Sequence, residues 1–73
     1  MIHELKTIQP YFDDVAEGRK TFEIRRNDRN FKVGDGLTLK EYPGEKIVFV
    51  NIVYITDYEQ KPGFVVMGIE VVK

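Results

Sequence analysis

The sequence predicts a small α+β domain, a mostly antiparallel β-barrel with one short helix near its N-terminal end. Three observations support this fold class. Five runs within the 73 residues have the β-branched, aromatic and alternating composition of strands. A single early segment has helical periodicity. Five strands are too few for a two-sheet sandwich, and closure into a barrel protects strand edges from unwanted pairing.

The N-terminal segment supplies the first strand and the helix. Residues 3–8, HELKTI, read as a short strand. Pro10 suits the first position of a helix and Gly18 the left-handed position just after one, which predicts a helix over Tyr11 to Glu17. Its apolar face consists of Tyr11, Phe12, Val15 and Ala16. We expect this face to pack across one opening of the barrel.

Four further strands account for most of the remaining chain, separated by a polar loop (RNDRNF) and a turn (VGDG). They are KTFEIR (20–25), LTLKEY (37–42), KIVFVNIVYIT (46–56) and GFVVMGIEVVK (63–73). The 46–56 segment has apolar residues at both parities, which is typical of a strand covered on two sides or bent around a barrel. Gly68 indicates a bulge or a close backbone approach.

Alternation predicts which side chains are buried. In a strand from Thr21 to Arg25, Phe22 and Ile24 point towards the core, while Thr21, Glu23 and Arg25 share the opposite face. The direction of Lys20 stays open, because it lies at the helix exit before regular pleating begins. The side chains that we expect to be buried are Phe22, Ile24, Leu37, Leu39, Phe49, Val53, Met67 and Ile69.

Composition limits the class of protein. The chain has no cysteine and one histidine, so we expect neither disulfides nor a metal site, and no cofactor. Its apolar runs are far shorter than the roughly 20 residues of a membrane span, and its first residues lack the apolar block of a signal peptide. We therefore predict one cytoplasmic domain over residues 1–73, without a membrane partner, as a monomer or weak homodimer.

Positive charge is concentrated in one stretch of the chain. Residues 19–32 carry six basic and two acidic side chains, whereas the rest of the chain carries five basic and ten acidic ones. The formal net charge of −1 hides this asymmetry. An anionic partner responds to the local patch rather than to the average, so a nucleic acid or nucleotide is compatible with the composition. A solvated basic hairpin without a partner is the alternative.

The same stretch resembles a known family. Residues 18–25, GRKTFEIR, reproduce the Gly-x-Lys-x-x-Glu-x-Arg signature of the ASCH domains, which belong to the PUA-like superfamily. The opening HELK, the run RRNDR, the turn VGD and the closing GFVVMGI are similar to a compact ASCH-related group of bacteria and phages, mostly of unknown function. The resemblance covers essentially the whole chain. It implies a PUA-like β-barrel whose signature lines a cleft suited to RNA or a nucleotide.

The residue types agree with a partner of that kind. RNA recognition needs cations for phosphate, flat groups for unstacked bases and polar groups for base edges. Arginine forks can bind phosphate in bidentate fashion or stack on bases, and Tyr11 and Phe31 are further stacking candidates. The candidate ligand-binding residues are His3, Lys6, Lys20, Glu23, Arg25, Arg26, Asn27, Arg29 and Tyr42.

An enzymatic function is the rival hypothesis. Some small proteins with the same signature act as amidohydrolases on acetylated cytidine, where the signature lysine activates a threonine three residues later. Here Lys20 matches, but the position three residues on is Glu23, and the signature's hydroxyl, Thr21, is displaced. A set of Lys20, Glu23 and His3 could in principle support RNA cleavage by acid–base chemistry. We rank binding above hydrolysis.

Overall fold

The computed structural model describes residues 1–72 and places six regular elements among them. They are β1 (Ile2–Thr7), α1 (Tyr11–Ala16), β2 (Phe22–Arg26), β3 (Gly36–Glu41), β4 (Ile47–Thr56) and β5 (Phe64–Val71). The order of elements and the positions of all five strands agree with the sequence prediction to within a few residues. Among these residues, no helix has the length and apolar character to cross a membrane.

The strands form one sheet in the order β1-β3-β4-β5-β2. The β1/β3 pair is parallel and the other three pairs are antiparallel. The sheet curls into a half-barrel, which confirms the predicted barrel-like α+β class. In the described chain, however, its end strands β1 and β2 do not pair with each other, so the expected closure is incomplete at the level of the backbone.

The core lies on the concave side of the sheet, covered by α1. Two helical side chains, Phe12 and Val15, are buried there. The other members of the core cluster are Leu5, Phe31, Leu37, Leu39, Val50, Ile52, Val65, Met67 and Ile69. The helix ends one residue earlier than predicted, with Glu17 as its cap, and Gly18 follows at φ +81°, the left-handed conformation expected for it.

Four of the eight burial predictions are confirmed, namely those for Leu37, Leu39, Met67 and Ile69. The predictions for Phe22, Ile24, Phe49 and Val53 are wrong, since all four side chains are exposed. In both strands concerned, β2 and β4, the prediction assigned the wrong alternate set of side chains to the core. In β4 the inward residues are the alternate set, Val50 and Ile52. An apolar pattern at both parities does not determine which set faces inward.

In β2 the inward set is the polar one. Glu23 and Arg25 lie on the concave side, and Phe22 and Ile24 do not. Hydrophobic alternation assigns this strand the wrong way round because it assumes that the apolar set faces the core. The exception is possible because the buried carboxylate of Glu23 has two cationic partners.

Gly68 marks the irregularity that the sequence predicts. The register of β4 against β5 shifts between Ile52 and Tyr54, directly opposite Gly68. A Cβ atom at Gly68 would lie 3.1 Å from Cβ of Tyr54, closer than an ordinary contact. Glycine therefore allows the bulged segment of β4 to approach β5.

The parity of β4 yields a matched test. Val50 is 1% exposed and Val53 is 46% exposed, in the same strand. We expect Val50→Ala to lower the free energy of unfolding by about 2 kcal/mol, because it removes buried methyl groups and leaves a cavity. We expect Val53→Ala to lower the free energy of unfolding by less than about half as much. Urea denaturation measures both, and equal losses would contradict the assigned parity.

Candidate functional site

A cleft of about 420 Å³ opens beside the gap between the two end strands of the sheet. This size falls in the range of small-molecule sites in proteins. Its lining comes from the end of β1, the segment after it, the helix and the signature stretch. The lining residues are Lys6, Thr7, Ile8, Tyr11, Lys20, Phe22, Glu23, Ile24 and Arg25.

Glu23 lies at the back of this cleft. The residue is 3% exposed, and its carboxylate is held between two cations. Lys20 Nζ donates to Oε1 at 2.8 Å, and Arg25 Nε donates to Oε2 at 2.9 Å. Burying a carboxylate is costly unless it is paired and hydrogen-bonded, and both conditions are met here. The three side chains together carry a formal charge of +1.

Lys20 points into the cleft, which resolves the direction that the sequence left open. Its ammonium group also donates to the carbonyl oxygen of Phe22 at 2.6 Å. The same nitrogen lies 4.7 Å from the ring centroid of Phe22 and 5.8 Å from that of Tyr11. Cation–π contacts of this kind add to the hydrogen bonds. The chain turns at Gly18 after the helix and so places Lys20 just before the start of β2.

Arg25 bridges the gap between the end strands. Its Nη2 donates to the carbonyl oxygen of Lys6 at 3.0 Å and to Thr7 Oγ1 at 3.2 Å. Arg29, in the loop after β2, donates from Nη1 to the carbonyl oxygen of Glu4 at 2.7 Å. Two guanidinium groups therefore replace the missing strand-to-strand ladder with side-chain hydrogen bonds to β1. The cleft is the space that this polar closure leaves open.

A second depression of about 370 Å³, here called the basic groove, continues the cleft along β1. Its lining residues are Glu4, Leu5, Lys6, Arg25, Arg29 and Lys40. Lys6 and Arg25 belong to both the cleft and the groove. Lys6 Nζ also lies 4.8 Å from the ring centroid of Tyr42, which is exposed. Arg29 and Tyr42 are thereby neighbours of the cleft, although they do not line it.

Four of the candidate residues lie outside both depressions: Tyr42, described above, and Arg26, Asn27 and His3. The guanidinium of Arg26 stacks over the Phe64 ring at 4.8 Å. The side chain of Asn27 accepts a hydrogen bond from the backbone N–H of Phe31 at 2.9 Å, so it supports the loop. His3 is buried and contacts the ring of Phe31 edge to face, with centroids 4.9 Å apart. Phe31 itself is a core residue rather than a stacking surface.

The structure also adds residues that sequence reasoning did not select. Thr7, Ile8, Phe22 and Ile24 line the cleft, and Lys40 lines the groove. Alternation in β1 does place Thr7 on the same face as Leu5, which was a usable signal. Phe22 and Ile24 were missed because they were assigned to the core. The parallel β1/β3 pairing that brings Lys40 next to Lys6 has no local signature.

Asp35 anchors the loop that follows β2. Its Oδ2 accepts hydrogen bonds from His3 Nε2 at 2.9 Å and from the backbone N–H of Lys32 at 3.2 Å. The N-terminal ammonium lies 3.3 Å from Oδ1. These interactions, with the His3 hydrogen bond as the largest contribution, hold the pKa of Asp35 below its ordinary value.

Two comparisons relate the chain to known proteins. The family described as Domain of unknown function (DUF3850) matches residues 2–69. The chain is also similar to an uncharacterized 12.9 kDa protein in the GpA 3′ region of Escherichia phage P2, with 51% identity over 41 residues. That alignment covers 56% of this chain and 38% of the phage protein, so the chain spans well under half of that relative's length.

Arg25→Lys tests the closure of the gap. A lysine has no planar fork, so it cannot reach Glu23, the Lys6 carbonyl and Thr7 at the same time. We expect a loss of about 1–3 kcal/mol in the free energy of unfolding and faster amide hydrogen exchange in β1. Arg26→Lys, on the neighbouring residue, is the control and should leave exchange in β1 unchanged. Equal exchange in both variants would show that Arg25 does not hold β1.

Asp35 makes stability depend on pH in a defined direction. Because its folded pKa is depressed, its contribution is complete above the unfolded value, about 4, and is lost as pH falls through the lower folded value. We therefore expect Asp35→Asn to flatten the acid limb of a stability–pH curve measured by urea denaturation. Asp57→Asn, in the β4–β5 hairpin, should leave that limb as steep as in the wild type.

Proposed function

This chain belongs to the DUF3850 family of domains of unknown function, and we propose that it is a binding module for RNA or a nucleotide. The observation that carries the proposal is the arrangement at the back of the cleft. A buried carboxylate, Glu23, is flanked by Lys20 and Arg25 and opens onto a cleft large enough for a small organic ligand. A hydrogen-bonding triad with a net positive charge favours a polar, electron-rich ligand.

The side walls of the cleft suit a flat ring. Tyr11 and Phe22 line it and remain about half exposed, and the aliphatic Ile8 and Ile24 lie beside them. Stacking of a base on an aromatic side chain contributes about 1–3 kcal/mol and tolerates any base. A base that stacks in the cleft would cover these apolar side chains.

The basic groove supplies the charge for a nucleic-acid backbone. Lys6, Arg29 and Lys40 lie in it, and its one acidic residue, Glu4, is 3.6 Å from Lys40. The groove and the cleft share Lys6 and Arg25, so a base in the cleft places its phosphates within reach of the groove. This arrangement supports binding of a single-stranded segment or a nucleotide with an exposed base.

The finer fold assignment belongs to the same proposal. We infer that the curled sheet is a PUA-like barrel of the ASCH type, on the grounds of the signature in residues 18–25. In this interpretation the signature residues Lys20, Glu23 and Arg25 line a ligand cleft, which is where the resemblance expects them.

Binding is better supported than hydrolysis by the hydroxyl groups near Lys20. Thr21 does not line the cleft. Among the residues described, the hydroxyl groups that do are those of Thr7 and Tyr11. The Thr7 oxygen accepts a hydrogen bond from Arg25 rather than facing a base, and within residues 1–72 the Tyr11 hydroxyl makes no hydrogen bond to Lys20 or Glu23. Lys20 donates to Glu23 and to the Phe22 carbonyl, so it is engaged as a donor. No nucleophile–base pair of the kind used in covalent catalysis stands in the cleft of residues 1–72.

Fluorescence anisotropy with a labelled single-stranded RNA tests the proposal. We expect affinity to fall steeply between low and physiological salt, because each neutralised phosphate releases counterions. Lys20→Ala should weaken binding by about 1–3 kcal/mol, since a charge-assisted hydrogen bond is lost. Lys61→Ala, outside the cleft and the groove, is the matched control and should bind as the wild type does.

Two results would contradict the proposal. The first is an absence of binding at low salt, or binding that salt does not affect. The second is cleavage of the RNA by the wild type that Lys20→Ala abolishes, which would favour the hydrolase instead. A denaturing gel of the recovered RNA distinguishes intact from cut product.

A further inference from the structure

We propose that the site binds a strand of at least two nucleotides, with one base in the cleft and the neighbouring base on the ring of Tyr42. This inference rests on the proposed function and deepens it, because it selects an oligonucleotide over a free nucleotide. It is carried by a third depression, which meets the cleft and the basic groove at one lysine.

The third depression, here called the Tyr42 hollow, has a volume of about 240 Å³. It shares Lys6 with the cleft, and it shares both Lys6 and Lys40 with the basic groove. A ligand that leaves the cleft along Lys6 therefore comes next to the groove and the hollow together. The lining residues of the hollow are Lys6, Lys40, Glu41, Tyr42, Gly44, Glu45, Lys46 and Ile47.

The pairing of β1 with β3 places Tyr42 directly beside the cleft wall. The backbone N–H of Tyr42 donates to the carbonyl oxygen of Thr7 at 3.0 Å, and Thr7 lines the cleft. Strands paired in this way lie about 4.8 Å apart. The Tyr42 ring is thus a separate surface one strand away from the cleft, where the next base of a bound strand can reach it.

The ring of Tyr42 is accessible for stacking, since the residue is 53% exposed. Proteins that bind single strands stack successive bases on successive aromatic side chains, and such contacts tolerate any base. The charge around the ring does not oppose a nucleic acid, because three lysines and two glutamates line the hollow. The Glu41 carboxylate is moreover engaged by Gln9 Nε2 at 2.8 Å and by the backbone N–H of Lys46 at 3.3 Å.

Lys6 is the cation between the two base positions. Its Nζ lies 4.8 Å from the Tyr42 ring centroid, and within residues 1–72 it makes neither a hydrogen bond nor an ion pair. Its N–H groups are therefore available to the phosphate that joins the two nucleotides. Lys20 and Arg25 differ in this respect, because both are paired with Glu23.

A free nucleotide occupies only part of this arrangement. Its base can lie in the cleft beside Tyr11 and Phe22, and its phosphate can meet Lys6, but it has no second base for Tyr42. A dinucleotide is the shortest ligand that contacts both aromatic surfaces and places a phosphate between them.

Competition against the labelled RNA tests the inference with ligands that differ by one base. They are a 5′-phosphorylated uridine dinucleotide and its two abasic analogues, each of which lacks one of the bases. All three carry the same phosphates, so a difference in affinity reports the second base and not the charge. We expect the wild type to bind the dinucleotide about tenfold more tightly than either abasic analogue.

Variants of Tyr42 assign this preference to its ring. Tyr42→Ala should abolish the preference for the dinucleotide, whereas Tyr42→Phe, which keeps the ring, should retain it. Tyr58→Ala is the matched control, because Tyr58 is also exposed but follows the opposite end of β4. This control should show the wild-type preference.

The outcomes separate the inference from the proposed function. Equal binding of the dinucleotide and both abasic analogues by the wild type would overturn the inference and leave nucleotide binding intact. A preference that persists in folded Tyr42→Ala would also overturn it. If that variant does not fold, Tyr42→Leu, which lacks the ring as well, takes its place. An absence of binding to the labelled RNA and to all three ligands would overturn the inference and the proposed function together.

Discussion

A carboxylate buried inside a chain this small must be paired and hydrogen-bonded, and this requirement constrains the side chains around it. Glu23 is buried on β2, and a cation pairs with each of its carboxylate oxygens. Lys20 arrives from the helix exit, and Arg25 from the same strand two residues later. Removal of either cation would leave one buried carboxylate oxygen without its hydrogen-bond partner, which is more costly than loss of an exposed ion pair. The triad therefore ties the helix, β2 and the cleft into one unit.

The same arginine links this local constraint to the architecture. Arg25 is shared between the Glu23 carboxylate and the end of β1, where it contacts the Lys6 carbonyl and Thr7. A fully paired barrel would have brought backbone groups together at this point and left no space. Closure by side chains holds β1 and β2 near each other while keeping a polar opening between them. The site and the incomplete closure of the sheet thus have one physical cause.

Parts of the fold were predictable because their determinants are local. Gly18 ends the helix in a left-handed conformation, and Gly68 accommodates the bulge in β4. Strong alternation in β5 gave the correct inward set. In β2 the same reasoning failed, because its apolar residues, Phe22 and Ile24, line a cleft rather than the core. A buried charge with cationic partners can face inward, contrary to the rule that the apolar set of a strand faces the core. One of these partners, Lys20, lies outside the strand.

The sequence by itself determined the fold class, the order of its elements and the stretch that carries the basic signature. These follow from composition, periodicity and turn residues, which act over a few neighbouring positions. The tertiary structure alone decided which face of β2 is inward and where Lys20 points. It also decided that Lys6, Thr7 and Lys40 lie beside the signature. Those features depend on the parallel pairing of β1 with β3 and on the gap opposite β2, both of which join segments that are distant along the chain.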